Sequence, residues 1–326
     1  MLQPFSVLPF RMKKIYALLL LLPLFSNAQL KWTNVDSLFQ PLPEGVHVFV
    51  TQDSLDGKPN KAFYVSADLK NPSIRFSAQT GKGKRYTPSQ YYASEGTPLL
   101  VVNTTFFEFV HNSNLNLVIN NGELLAYNHH TTAGRGKDTL TYKHTLGSAI
   151  GIDKKGNADI AWLLTDSSAR YPLASQQPVQ YIKDSIPTLK ASQFNAPVHW
   201  RKWKMQTAVG GGPVLVQNGV YKVTNNEEQK FAGKGLTDKH PRTAMGYTRN
   251  GELIVLAVEG RFPGKAEGAS LKQLAEIFVS LGCEEALNLD GGGSSCLLIN
   301  GKETIKPSDK EGQRPVPAVF MIHSRK

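Results

Sequence analysis

Cysteine is scarce: the 326-residue chain has two, Cys283 and Cys296. That excludes a disulfide scaffold. Both lie in apolar surroundings (Leu281-Gly282-Cys283 and Cys296-Leu297-Leu298), where a free thiol acts as a small hydrophobe; one bridge across the intervening residues is the alternative. Long hydrophobic runs are missing as well. The apolar stretch from Ile15 to Phe25 is shorter than the about 20 residues a membrane span needs. It follows Arg11, Lys13 and Lys14 and precedes Ser26-Asn27-Ala28, the layout of an export leader cleaved after Ala28. A retained N-terminal anchor is the alternative, and Met12 is a second possible start. The expected location is therefore periplasmic or extracellular, with no stable membrane span after cleavage.

Acidic residues are in deficit, 26 against 37 Lys and Arg, for a formal charge of +11. Loss of Arg11, Lys13 and Lys14 with the leader lowers this to +8. Such a balance suits a phosphate-bearing partner, or simply a soluble basic surface. Several motifs are absent. No Gly-Lys-Ser/Thr follows a glycine run, so there is no Walker A loop, and Gly-x-Ser-x-Gly is lacking. The eight His show no His-Glu-x-x-His spacing. His129-His130 reads as loop, and His199 to Lys204 as an amphipathic strand or a polyanion contact. No nucleic-acid module and no repeat is recognisable. Neither a cofactor nor a metal is expected.

What the chain has is turn chemistry. Asn-Gly occurs at residues 121–122, 218–219, 250–251 and 300–301, each beside a β-prone run such as Val214-Leu215-Val216 or Leu253 to Val258. A type I′ turn needs positive φ at both central residues, so Asn-Gly between such runs predicts a hairpin. Helix signals are fewer. Ser270 and Gln273 make a capping box before Leu271, Leu274, Ala275, Phe278 and Leu281, with Gly282 as the stop. Thr87-Pro88-Ser89-Gln90 starts a second helix ending at Gly96, which feeds the buried strand Leu99 to Val102. Strand 253–258, helix 271–281 and strand 286–289 look like a β-α-β crossover, so part of the sheet is expected to be parallel. The fold class is α+β: a mixed, strand-rich β-sheet with several β-hairpins and a few flanking helices. Residues 1–28 form the leader, 29–98 a strand-rich N-terminal part and 99–326 the core. Residues 165–197, rich in Ser, Gln and Pro, read as an irregular excursion.

Five segments could carry chemistry. Asn288-Leu289-Asp290-Gly291-Gly292-Gly293-Ser294-Ser295 ends a buried strand with a carboxylate, three glycines and two hydroxyls. Glycine amides left uncovered at such a turn form an anion nest. Pro241-Arg242-Thr243 opens a strand with a guanidinium that could clamp a phosphate. Val258-Glu259-Gly260-Arg261 brings an acid to the end of an apolar strand, beside Asp290 if the two strands are parallel neighbours. Two carboxylates there would serve acid/base or nucleophilic work on a glycosidic bond. Asn103 to Glu108 follows a buried strand, and Val209-Gly210-Gly211-Gly212-Pro213 is a second glycine run.

In their order along the chain the five segments, with Pro307-Ser308-Asp309 and Arg314-Pro315-Val316, resemble the phosphodiester glycosidase family from about Leu99 to Met321. The chain departs at Glu259, where the family pattern leads one to expect Asp, and at Cys296, where a small polar residue is usual. The resemblance implies an exported hydrolase cleaving a sugar-1-phosphodiester at the anomeric carbon, in glycans or in cell-envelope or exopolysaccharide material. A glycan-binding protein without turnover and a metal-dependent phosphodiesterase are the alternatives. It also implies roles: Asp290 and Glu259 as catalytic carboxylates, and phosphate held by Gly291, Gly292, Gly293, Ser294, Ser295 and Arg242. Asn103, Glu108, Asp309 and Arg314 would surround the sugar, with Gly211 and Arg261 in the same substrate-binding set.

Overall fold

A computed structural model describes residues 30–134, 136–194 and 198–325. The expected leader lies outside them, and no described helix is long and apolar enough to cross a membrane.

Alternation within single strands builds the core. Along Glu252–Val258, Leu253, Val255 and Ala257 enter one apolar cluster, while Ile254, Leu256 and Val258 enter another on the opposite face. A strand apolar on both faces must be sandwiched, because successive side chains point to opposite sides. One face of its eight-stranded sheet packs on the five- and seven-stranded sheets through residues such as Val102, Trp162, Val209 and Phe320. The other face is covered by helix Leu271–Ser280, through Leu271, Leu274, Ala275 and Phe278. The helix starts with the Ser270–Gln273 capping box and ends before Gly282 at φ +74°. Helix Pro88–Ser94, capped by Thr87, covers the outside of the five-stranded sheet with Tyr91. A three-stranded sheet completes the structure.

All four Asn-Gly pairs make hairpins. At 121–122, 218–219 and 300–301 both residues have positive φ, the type I′ signature. At 250–251 only Gly251 does, because Arg249 lengthens that loop to three residues.

Among the described residues the expected mixed sheet is not found: their registered strand pairs are all antiparallel, and the structure is mostly β. The crossover from Glu252–Val258 through the helix to Cys283–Asn288 exists, and its two strands run the same way. They are not neighbours, however. Arg242–Thr248 lies between them and pairs antiparallel with both, Arg242 opposite Val258 and Ala244 opposite Asn288. A crossover helix has the reach to skip a strand, and the apolar pattern of the flanking strands is the same either way. The N-terminal part is woven into these sheets: Ala62–Asp68 pairs with Glu252–Val258, and Ile74–Thr80 with Ala318–Ser324. Within residues 165–197, Leu173–Ser175 joins the seven-stranded sheet between Ala158–Leu164 and Arg201–Lys202, and Ile182–Asp184 forms an edge of the three-stranded sheet.

Candidate active site

The inserted strand fixes the site. Its first residue, Arg242, stands between the end of Glu252–Val258 and the end of Cys283–Asn288. Glu259 and Asp290 thus follow strand ends that are two strand spacings apart, about 9–10 Å between backbones, and alternation sends Glu259 to the opposite face of the sheet from Arg242. A cavity of about 210 Å³ opens there, lined by Phe106, Phe231, Gly235, His240, Arg242, Arg261, Asp290, Gly291 and Gly292.

Asp290 is partly covered, and burial pushes its carboxyl up to about 6 against the opposing pull of Ser294, Arg314 and the Gly291 amide. Arg242 is 2% exposed; its Nε donates to Ala269 O (2.9 Å) and its Nη2 to Asp238 O (3.1 Å). Burial, and next the neighbouring Arg261, pull this guanidinium down to about 10. Phe231 lies under it at 5.6 Å and meets Phe106 edge-on. No carboxylate of a described residue forms an ion pair with Arg242 or Arg261. Two guanidiniums facing one cavity without an acid partner leave the cavity short of negative charge. His240 adds a third basic side chain. Burial and the two arginines hold it below its ordinary pKa, which favours neutral imidazole, and its buried Nδ1 has no hydrogen-bond partner.

Each glycine after Asp290 has a steric reason. A Cβ on Gly291 would press on Pro241 O, one on Gly292 on the Arg261 guanidinium, and one on Gly293 on the Asp309–Arg314 pair. Gly292 also has φ +62°. The amides are largely used by the protein itself: Gly292 donates to Pro241 O (2.8 Å), Ser294 to Gly291 O and Ser295 to Gly292 O, while the Gly291 amide serves the Asp290 carboxylate. The run therefore acts by letting charged groups approach rather than as an open nest. Beside it, Arg314 clasps Asp309 with Nε–Oδ2 at 2.8 Å and Nη2–Oδ1 at 3.1 Å, and its Nη1 stands 3.5 Å from Ser294 Oγ. The Ser295 hydroxyl is buried and unpartnered.

Other expected site residues stand behind or away from the cavity. Asn103, fully buried, donates to Asp290 O (2.7 Å) and accepts from Thr243 Oγ1 (2.8 Å) and Cys296 N (3.0 Å). It ties two sheets to the strand end that carries Asp290. Gly211 passes against the Asn288 backbone where a side chain would collide. Glu259 does not line the cavity: its Oε2 accepts from Lys306 N (2.8 Å) and pairs with Lys61 at 3.4 Å. Glu108, its side chain partly exposed, accepts from the Val110 and His111 amides of its own loop.

Sequence reasoning missed Phe106, Phe231, Gly235 and His240 as a set. Phe231 and Gly235 come from a turn-rich stretch without periodicity. His240 could have been found by its place directly before Pro241-Arg242. Both cysteines are free and buried, and burial pushes the Cys283 thiol up to about 12. Among the described residues no three His, Cys, Asp or Glu side chains gather into a metal-ligating group.

The family profile described as phosphodiester glycosidase matches residues 97–323. The bovine N-acetylglucosamine-1-phosphodiester alpha-N-acetylglucosaminidase is 40% identical over 68 residues, 21% of this chain and 12% of that protein. The SPbeta prophage-derived uncharacterized protein YomE of Bacillus subtilis is 39% identical over 74 residues, 23% of this chain and 11% of that one. The match thus spans only about an eighth of the length of these relatives. The catalytic domain of the zebrafish N-acetylglucosamine-1-phosphodiester alpha-N-acetylglucosaminidase, auto-inhibited by pro-peptide, superposes with a TM-score of 0.58 at 18% identity, covering 91% of this chain and 89% of that domain.

Proposed function

The chain belongs to the phosphodiester glycosidase family, and on that premise we propose that it hydrolyses the bond between the anomeric carbon of an N-acetylglucosamine-type sugar and a phosphodiester. One observation carries the reading: Asp290 faces a cavity whose other ionisable groups, Arg242, Arg261 and His240, are basic and lack a carboxylate partner among the described residues. A phosphodiester supplies the missing negative charge.

The bond that breaks joins C1 to the phosphate oxygen, which keeps the electron pair and departs as a phosphomonoester. Such a group leaves readily, so stabilising charge matters more than protonating it. Arg242 and Arg261 serve the departing phosphate, and ionised Asp290 serves the oxocarbenium-like carbon. Water completes the reaction at C1, and its proton passes to a base in the cavity. With its pKa near 6, Asp290 is mostly ionised at neutral pH. Neutral His240 is the second group able to accept or donate a proton. The phenyl rings of Phe106 and Phe231 exclude water beside the sugar.

The leader-like N-terminus supports action outside the cytoplasm, on phosphodiester-linked envelope or extracellular glycans, and mature protein beginning at Gln29 is the expected product. Incubation with UDP-N-acetylglucosamine in the presence of a chelator tests the chemistry. Free reducing sugar is expected. Release of sugar phosphate instead would point to cleavage on the phosphorus side, and binding without turnover to a glycan-binding protein.

A further inference from the structure

Beside the cavity a short loop displays apolar surface that nothing in the reaction uses. Phe109 is 58% exposed and Val110 80%. The loop is not loose. Phe107 and Asn114 bridge its base, Leu115 N donates to Phe106 O (2.8 Å), and the Glu108 carboxylate accepts from the Val110 and His111 amides. At the tip Asn112 Nδ2 donates to Gly83 O (3.3 Å). Phe107 anchors the loop in the cluster under helix Pro88–Ser94 and holds the Phe109 ring at 4.6 Å, tilted 43°. A loop tied at base, middle and tip yet carrying an exposed ring presents that ring at a fixed angle.

The ring also has fixed neighbours. The Arg85 guanidinium lies 5.1 Å from the Phe109 centroid and 5.3 Å from that of Phe107. Arg85 forms no ion pair with any described carboxylate, and the nearby Glu108 carboxylate is already committed to backbone amides. On the other side the Arg314 guanidinium stands 5.8 Å from the Phe109 centroid and also reaches Ser294 and the field of Asp290. Arg314 thus links the neighbourhood of Asp290 to Phe109, and Phe109 in turn meets Arg85. An apolar ring flanked by an unpaired guanidinium fits a sugar face carrying a phosphate: the pyranose C–H face stacks on the ring and the phosphate meets the cation.

We infer that Phe109, Val110 and Arg85 form an outer subsite for a neighbouring sugar-phosphate unit, so that the preferred substrate is a polymer of phosphodiester-linked sugars rather than a single capped sugar phosphate. This rests on the phosphodiester glycosidase reading of the cavity. The test compares UDP-N-acetylglucosamine with a synthetic oligomer of phosphodiester-linked N-acetylglucosamine, using wild type, Phe109→Ala and Arg85→Ala. Phe109 is exposed, so its truncation leaves the fold intact, and circular dichroism and melting temperature check this for both variants. The expected result is a loss of about tenfold in kcat/KM on the oligomer for each variant, with the monomeric substrate cleaved within about twofold of wild type. Equal losses on both substrates, or none on either, overturn the subsite. If wild type cleaves neither, the proposed reaction fails instead. Calorimetric binding of the oligomer then decides the subsite alone: it stands if Phe109→Ala weakens binding about tenfold and falls if affinity is unchanged.

Discussion

Glu285 and Asp290 lie five residues apart, one within the strand Cys283–Asn288 and the other just past its end. Burial raises both carboxyls, Glu285 to about 7 and Asp290 to about 6. A perturbed carboxylate alone therefore does not mark the site. Their partners separate them. Glu285 Oε2 accepts from Tyr247 OH (2.6 Å) and Ile160 N (2.9 Å), bolting the eight-stranded sheet to the seven-stranded one, and it lines no part of the cavity that holds Asp290. Asp290 faces open volume and unpaired cations. The first is a structural bolt; the second lines a cavity. The buried Glu228, satisfied by Ser148, Trp162, Thr224 and Val214 N, belongs with Glu285.

The widest separation is expected in turnover. Asp290→Asn should lower kcat on a sugar phosphodiester about 10³-fold, while Glu285→Gln stays within about threefold. Equal effects would erase the distinction. Arg261→Ala, at an exposed position, should cost about 10²-fold in kcat/KM with little change in melting temperature, because it removes charge from the departing phosphate.

Stability sorts the same groups in reverse. Asn103→Ala leaves Asp290 O, Thr243 Oγ1 and Cys296 N short of a partner and should destabilise the fold by about 2–4 kcal/mol in denaturant titration. Its activity loss should follow the folded fraction. For Glu285 the folded pKa is raised from 4.5 to about 7, so the folded state binds the proton more tightly. Stability carries no penalty below pH 4.5, declines as pH rises toward about 7, and stays reduced above that. Denaturation midpoints between pH 5 and 8 should flatten in Glu285→Gln. The smallest effect is expected for Glu259→Gln, which keeps an acceptor for Lys306 N and loses only the pairing with Lys61, so kcat/KM should stay within about twofold. A 10³-fold loss there would return Glu259 to the chemistry.

Much of the local structure was legible. The Asn-Gly hairpins, both capped helices and the alternating buried strands follow from φ preferences, capping hydrogen bonds and side-chain period, all of which act within a few residues. That Asp290, Arg242 and the glycine run meet was legible from their clustering at strand ends, and they line one cavity. The pairing of Glu259 with Asp290 was not, because it assumed adjacent parallel strands. Nor was the cavity wall: Phe106, Phe231 and His240 belong to separate segments with no shared spacing.

The sequence by itself determined the elements, their turns and the residues available at the strand ends. The tertiary structure alone decided which of them meet. Inserting Arg242–Thr248 between the crossover strands kept the two acid-bearing strand ends from being neighbours, and Glu259 pairs with Lys61 instead. It also left Asp290 facing Arg261 and His240. Charge, burial and hydrogen-bond partners at this site come from residues far apart in the chain, Asn103 to Asp290 among them, and no local preference encodes such distances.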